Sequence, residues 1–259
     1  MYSFLHELLA DRKGGEIFRL FGAWHIFYVL LTAAAVAAVL IAWRRRNGES
    51  RERITRSFVD LAFGLYVLDW FLMPLAYGSI DIEKLPFHAC TAMCVVCFLS
   101  YRVKPLSKYR SSFALLGLIS NLVYLVYPAG VMWHAVHPLS YRVVQTLLFH
   151  STMSVYGILY LVSEHRKTEV RRCYRDLAVV VGMTAWALVG NYAFNGESEG
   201  YSHFFNWFFV VRDPFYLLPE NVAPFVMPFL NILLFFGVEM LIHLAILLLR
   251  RIRKSEPRA

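Results

Sequence analysis

Apolar and charged residues form long alternating blocks along this chain. Seven stretches contain few charged residues, and they cover about 22–43, 57–77, 86–101, 111–128, 142–162, 175–194 and 222–249. A helix needs about 17 to 25 residues to cross ~30 Å of hydrocarbon at ~1.5 Å per residue, and most of these stretches are long enough. The stretch 86–101 is the shortest, and we extend it toward Arg102, whose side chain can reach the interface. The pattern predicts an all-α membrane protein, one domain over 1–259 with seven transmembrane helices.

The distribution of Lys and Arg predicts how these helices are oriented. The segments 44–56, 102–110, 166–175 and 250–258 contain 20 of the 26 basic residues, and the segments on the opposite side contain six. Because basic connections stay in the cytoplasm, we expect the amino terminus outside, the carboxy terminus inside, and the chain in the cell membrane. The net charge of +8 then indicates contact with phospholipid headgroups and argues against nucleic acid as a partner.

Composition agrees with this class. Hydrophobic residues make up 58% of the chain, charged residues 17%, and the mean hydropathy is +0.50, which excludes an ordinary soluble domain. Three cysteines, Cys90, Cys94 and Cys97, fall in one predicted helix, and Cys173 lies near the cytoplasmic side. This placement predicts no disulfide framework. The sequence leaves the oligomeric state open.

One connection differs from the others, because residues 195–221 are long and rich in aromatic residues. Such aromatic density is typical of the headgroup level, so we expect an interfacial or re-entrant helix. Two interpretations stay open: the segment anchors the bundle in the interface, or it covers a cavity as a lid.

Polar side chains inside predicted spans are costly, so they indicate an interior, a partner or water. Several lie at similar depth in the outer half of the bundle, and together they predict a polar cavity on that side: His25, Asp69, His88, Cys90, Asn121, His150 and Asn191. Each also has a structural explanation, since Asn and His often bond neighbouring helices. For Asp69 we expect a partner such as a histidine.

Two further polar residues lie deeper. Glu239 and His243 are four residues apart on the last predicted helix, so we expect them to satisfy one another.

Cys90 and His150 are the candidate catalytic pair. A thiol becomes a nucleophile when a neighbouring base takes its proton, and the predicted depths of these two residues are compatible. A helix beginning near Pro86 would place Cys90 just past the first turn. His88, two residues before Cys90, would then point to nearly the opposite side and serve the site only if that turn is irregular. Cys94 and Cys97 have no His or carboxylate neighbours at ligand spacing, so we predict neither a metal nor another cofactor.

Several segments are familiar as a group: EIFRLFGAWHIFYVLLT at 16–32, KLPFHAC at 84–90, LLFHSTMS at 147–154 and GNYAFN at 190–195. With these segments the chain resembles the YwaF-type integral membrane proteins. The family motif at the cysteine usually has Leu at the positions of Phe87 and Ala89. That family is in turn similar to transmembrane protein 164, an acyltransferase whose cysteine and histidine are about sixty residues apart. Cys90 and His150 match this spacing.

The resemblance implies acyl transfer between phospholipids through a thioester on Cys90, with His150 as the base. It leaves open whether Asn121, Asn191 or Asp69 orients the histidine. Water as acceptor would make the enzyme a lipase. The alternative from another class is a sensor or carrier that binds a small or lipidic ligand in the same cavity without a reaction.

Overall fold

The computed structural model describes residues 9–10, 15–78, 82–132, 135–164, 170–198 and 201–255. Within these ranges the longest helices are α1 (Ala23–Arg44), α2 (Gly48–Tyr77), α3 (Ala89–Ser100), α4 (Arg110–Val126), α5 (Tyr141–Glu164), α6 (Val170–Phe194) and α7 (Ala223–Ser255). Short helical turns occur at Ile82–Lys84, Lys104–Ser107, Ala129–Met132 and Trp207–Phe209. Two short strands, β1 (Gly196–Ser198) and β2 (Tyr201–His203), pair antiparallel with Gly196 opposite His203. The predicted helical class is confirmed, with this one hairpin as an addition.

Among the described residues, six helices are long and apolar enough to cross a membrane, namely Ala23–Arg44, Gly48–Leu75, Arg110–Met132, Tyr141–Ser163, Cys173–Phe194 and Ala223–Ile252. The seventh predicted span, 86–101, corresponds to the 12-residue helix α3. At ~1.5 Å per residue α3 is about 18 Å long, which is shorter than ~30 Å of hydrocarbon. Six of the seven predicted spans therefore have a helix of spanning length among the described residues, and the span at 86–101 is not confirmed.

Helix α3 is short because the chain before it folds into the bundle as a turn. The Tyr66 hydroxyl of α2 donates to the Lys84 carbonyl at 2.8 Å, and the Trp186 indole of α6 donates to the Pro86 carbonyl at 2.7 Å. Phe87 packs on Gly190, where a Cβ would clash with its ring. Irregular backbone at this depth is tolerated where protein surrounds it or where it lines a cavity.

The central helices are α4 and α5, and the peripheral ones are α1 and α7. In their most apolar windows, 53% of α4 and 61% of α5 is buried, against 11% of α1 and 17% of α7. Glycine allows close contact between the two central helices, because a Cβ at Gly157 would lie 2.6 Å from the Leu118 Cβ. The central pair thus forms a rigid support for side chains that face α2 and α3.

The aromatic connection 195–221 packs back onto the bundle. Trp207 and Phe208 are buried, whereas Phe215 and Tyr216 are more than three-quarters exposed. The Asn231 amide of α7 donates to the carbonyls of Phe208, at 2.6 Å, and Phe209, at 3.0 Å. In the described part of this segment, the only helix is the three-residue turn at Trp207–Phe209, so the predicted interfacial or re-entrant helix is wrong.

Candidate active site

Cys90 lies in the first turn of α3. The helix begins at Ala89, and His88 caps it with extended backbone at φ −78° and ψ 144°. The first hydrogen bond of the helix joins the Ala92 amide to the His88 carbonyl at 2.9 Å, so the amides of Ala89, Cys90 and Thr91 precede the helical ladder. The expected start near Pro86 is wrong by three residues. Because Cys90 lies in the first turn, the positive end of the helix dipole favours an anion at its sulfur.

His88 faces the same side as Cys90, because it lies outside the helix. Its Nδ1 accepts a hydrogen bond from the Phe208 amide at 3.4 Å, which connects the cap to the aromatic connection. The expectation that His88 could serve the site only through an irregular first turn does not apply, because His88 precedes the helix and lines the cavity as its N-cap.

His150 is held in one orientation by two neighbours from α4. Its Nδ1 lies 2.7 Å from the Asn121 Oδ1, and the Tyr124 ring stacks on the imidazole with centroids 3.7 Å apart. The Asn121 amide nitrogen donates to the Gly117 carbonyl at 2.6 Å, so the Asn121 oxygen must be the acceptor. In the neutral imidazole the hydrogen is then on Nδ1, and Nε2 carries the lone pair.

One small cavity brings the candidate pair together. It has a volume of about 110 Å³, and its lining includes Asp69, His88, Cys90 and His150. At ~30 Å³ per water this space holds about three or four water molecules. No direct hydrogen bond joins the Cys90 thiol to His150 among the described residues, so the two groups meet through the cavity. Catalytic hydrogen bonds often tighten only when substrate binds.

Asp69 has a cation as its partner and not the expected histidine. Its Oδ2 lies 2.8 Å from the Lys84 Nζ, and its Oδ1 accepts a hydrogen bond from the Tyr141 hydroxyl at 3.1 Å. Lys84 also lines the cavity, so both charges of the ion pair lie at its wall. Burial makes this pair costly to break, because either charge alone would lack compensation.

Lys84 and Arg142 are cavity residues that we did not predict from the sequence. Both line the cavity, yet we counted them only as charges in the outer connections. Each is the single basic residue of its predicted outer connection, against four to six in every connection on the basic side. Because basic residues are rare in the predicted outer connections, a single Lys or Arg there was a sequence signal that could have identified these two residues.

Two of the predicted cavity residues have structural roles. His25 accepts a hydrogen bond from the Phe21 amide at its Nδ1, 3.0 Å, and its Nε2 lies 2.8 Å from the Leu125 carbonyl oxygen. Asn191 accepts from the Trp207 amide at 2.9 Å and donates to the Trp207 carbonyl at 3.0 Å. Neither belongs to the cavity lining as the described residues define it. Asn121 is absent from this lining too, so three of the predicted cavity residues do not line it among the described residues.

The expected pairing of Glu239 with His243 is also wrong. His243 Nε2 lies 2.7 Å from the Asp176 Oδ2 of α6, and all three residues are buried. Asp176 was not predicted as a partner, because a separation of 67 residues conceals it in the sequence. Cys94 and Cys97 are buried in the core, and none of the described cysteines forms a disulfide, which confirms that expectation.

Comparisons with known proteins place this chain in a family. No curated protein and no solved structure matches the chain. The model of the TMEM164 family matches residues 20–249, a range that includes every residue of the cavity lining. This match confirms the similarity to the transmembrane protein 164 family, is compatible with the YwaF-type resemblance, and covers most of the chain. The protein therefore belongs to the TMEM164 family.

Proposed function

We propose that this protein is a membrane-embedded acyltransferase that moves an acyl chain between phospholipids, with Cys90 as nucleophile and His150 as base. One arrangement carries the proposal: Asn121 fixes the His150 tautomer with its lone pair on Nε2, in a cavity that also holds the Cys90 thiol. A cysteine, a histidine and an asparagine in these roles form a known nucleophile–base–orienter set on unrelated folds.

In the first step His150 Nε2 takes the thiol proton, and the sulfur attacks the ester carbonyl carbon of a phospholipid. The carbonyl oxygen becomes an oxyanion, which the amides at the start of α3 can stabilise. When the C–O bond breaks, the leaving lysophospholipid oxygen takes the proton from His150. The products are a lysophospholipid and a thioester on Cys90.

In the second step a lysophospholipid hydroxyl binds where the first product left. His150 Nε2 accepts its proton, the oxygen attacks the thioester carbonyl, and the C–S bond breaks. The Cys90 sulfur takes the proton back from His150, which restores the enzyme. Water in place of the hydroxyl would release a free fatty acid, so the acceptor that reaches the thioester decides between transfer and hydrolysis.

The size of the cavity and its charged lining fit the proposed reaction. About 110 Å³ accommodates an ester group and a few waters, whereas whole ligands occupy about 300–1,000 Å³. The acyl chains must therefore extend beyond the cavity into the bundle or the bilayer. The lining contains two cations, Lys84 and Arg142, and two carboxylates, Asp69 and Glu83, so a lipid phosphate would bind at the cations and next to acidic groups.

The same proposal includes seven membrane crossings in the cell membrane, with the amino terminus outside and the carboxy terminus in the cytoplasm. Helix α3 would make the third crossing together with the turns on either side of it. Two contacts place α3 antiparallel beside α2, which such a crossing requires: Lys84 pairs with Asp69, and Arg102 donates to Asp60 at 2.9 Å, nine residues or about 14 Å earlier on α2. The concentration of 20 basic residues in alternate connections supports the orientation.

The test is acyl transfer by the purified protein in phospholipid vesicles. A labelled acyl donor and an unlabelled lysophospholipid should yield labelled phospholipid with the wild type, and Cys90→Ala and His150→Ala should abolish the product. Cys94→Ala, one helical turn further along α3, is the matched control and should retain activity. Activity that survives Cys90→Ala would contradict the proposal, and saturable lipid binding without any product would favour a carrier or sensor.

A further inference from the structure

A second, apolar groove lies on the other side of α3. It has a volume of about 460 Å³, within the range of about 300–1,000 Å³ that is typical of ligand sites. Helices α3 and α6 both pack against α4, and the groove lies between them. Its walls include Ala92, Met93 and Val96 from α3 and Val179, Gly182 and Met183 from α6. Helix α3 therefore separates this groove from the polar cavity at Cys90.

The two ends of the groove differ in chemistry. At one end the Trp186 indole donates to the Pro86 carbonyl, and both residues line the groove. At the other end lie Tyr109 and two cations: the Lys108 Nζ is 5.0 Å from the centre of the Tyr109 ring, and the Arg175 guanidinium donates to the Lys108 carbonyl at 3.2 Å. Within the described part of the chain, neither cation forms an ion pair with an acidic residue.

The length of the groove corresponds to one leaflet. Along α6 the groove lining runs from Ala178 to Trp186, about 12 Å at ~1.5 Å per residue. Arg175 lies about one turn before this lining, so the groove and its cation together extend about 16 Å, which is close to half of ~30 Å of hydrocarbon. One acyl chain of a lipid could therefore lie along the groove with its headgroup at the cations. Residue 182 leaves room for this chain, since a Cβ there would meet nothing within 4 Å.

We propose that this groove binds an acyl chain of an anionic glycerophospholipid from the leaflet on the basic side, whose phosphate lies between Lys108 and Arg175. The site is separate from the acyl-transfer cavity, and the inference does not depend on the proposed function. The lipid would fill the gap between α3 and α6 and so stabilise the position of α3. The positive charges of Lys108 and Arg175 would favour binding of phosphatidylglycerol over phosphatidylcholine.

Filling the groove tests the site. The purified protein in detergent is heated with added dioleoyl phosphatidylglycerol or dioleoyl phosphatidylcholine, and the rise in Tm is measured. We expect a larger rise with phosphatidylglycerol, and Gly182→Phe should abolish it. The matched control is Gly64→Phe, because Gly64 is an exposed glycine of α2 that lies outside the groove and where a Cβ would also meet nothing within 4 Å. Equal effects of the two lipids, or an undiminished effect in Gly182→Phe, would overturn the proposal.

The cations provide an independent arm. Each of Lys108→Gln and Arg175→Gln should weaken phosphatidylglycerol binding roughly five-fold, the equivalent of about 1 kcal/mol per basic residue near the surface. Arg46→Gln, in the connection between α1 and α2, should leave binding unchanged.

Photolabelling keeps the proposal testable if Gly182→Phe does not fold. Phosphatidylglycerol with a diazirine on its acyl chain is added to the wild-type protein in vesicles, and the labelled peptides are identified by mass spectrometry. Labels should concentrate on peptides that contain 92–96 and 178–186, which line the groove. Labels spread evenly over the exposed faces of α1 and α7 would show a general lipid annulus and refute a specific site.

Discussion

Asn121→Ala is the substitution that tests the proposed role of His150 most sharply. Asn121 is fully buried, and its Oδ1 is the acceptor for the His150 Nδ1–H at 2.7 Å. Alanine removes the acceptor and leaves that N–H buried without a partner, which costs about 1–3 kcal/mol. The imidazole can then rotate or take the other tautomer, which would put the hydrogen on the nitrogen that must accept the thiol proton.

The magnitude follows from the same range. The free-energy cost of the unpartnered N–H, about 1–3 kcal/mol, is expected to fall on the active orientation of the ring. Because ~1.4 kcal/mol corresponds to a factor of ten in rate, kcat should fall roughly 5- to 150-fold. The KM for the phospholipid should change little, because Asn121 does not line the cavity as the described residues define it. Asn121→Asp retains an acceptor for the Nδ1–H, so it should recover part of the rate.

The assay is acyl transfer in vesicles with the donor concentration varied, which separates kcat from KM. Asn191→Ala is the matched control: Asn191 is equally buried, but its three side-chain hydrogen bonds all go to backbone, namely the Ala187 carbonyl and the Trp207 amide and carbonyl. It should lower the Tm and leave kcat per folded protein unchanged. An equal loss of kcat in both variants, or an unchanged kcat in Asn121→Ala, would refute the orienting role.

Three further predictions concern stability. Lys84→Met should destabilise the protein by about 3–5 kcal/mol in thermal unfolding, because it leaves the buried Asp69 without its cation; a double variant that also carries Asp69→Leu should recover most of the loss, and no recovery would contradict the ion-pair account. Gly157→Ala should cost about 1–3 kcal/mol, because its Cβ would lie 2.6 Å from the Leu118 Cβ, and an unchanged Tm would show that α4 and α5 can separate without cost. Backbone amides that donate to the Asp213 carboxylate lower its pKa from 3.8. The ionised carboxylate should therefore stabilise this part of the aromatic connection fully above about pH 4, and the stabilisation should be lost as the pH falls through the lowered pKa. Hydrogen exchange of the donating amides measures this stabilisation. In Asp213→Ala these amides should exchange fast already at neutral pH, and exchange as slow as in the wild type would disprove the role of the carboxylate.

The hydrophobic pattern predicted the long helices well, because burial in lipid requires uniformly apolar stretches. It failed where other forces decide the boundary. Helix α2 begins at Gly48, nine residues before the predicted start, because the Asn47 side chain caps it by accepting from the Ser50 amide. The cap and the polar turns that follow give no hydropathy signal.

Helix α3 shows the opposite failure. The residues around Pro86 are apolar enough to extend a span, yet they form a turn because Trp186 binds the Pro86 carbonyl. That partner is 100 residues away. No local pattern in the sequence contains this contact.

The candidate site was predictable in its depth but not in its partners. Depth along the helices was enough to bring Cys90 and His150 to one cavity. Asn121 and Asn191 look alike in sequence, since both are amides in the outer half of a span. Only the structure separates them, because one bonds a side chain across two helices and the other bonds backbone in the following connection.

The most direct measurement is the mass of the Cys90 peptide after the protein has been incubated with a phospholipid donor and no acceptor. The account predicts one acyl group on Cys90 that hydroxylamine removes, no such group in Cys90→Ala, and much slower formation in His150→Ala. Transfer of acyl chains between lipids without any acyl group on Cys90, or with the group on another cysteine, would contradict it.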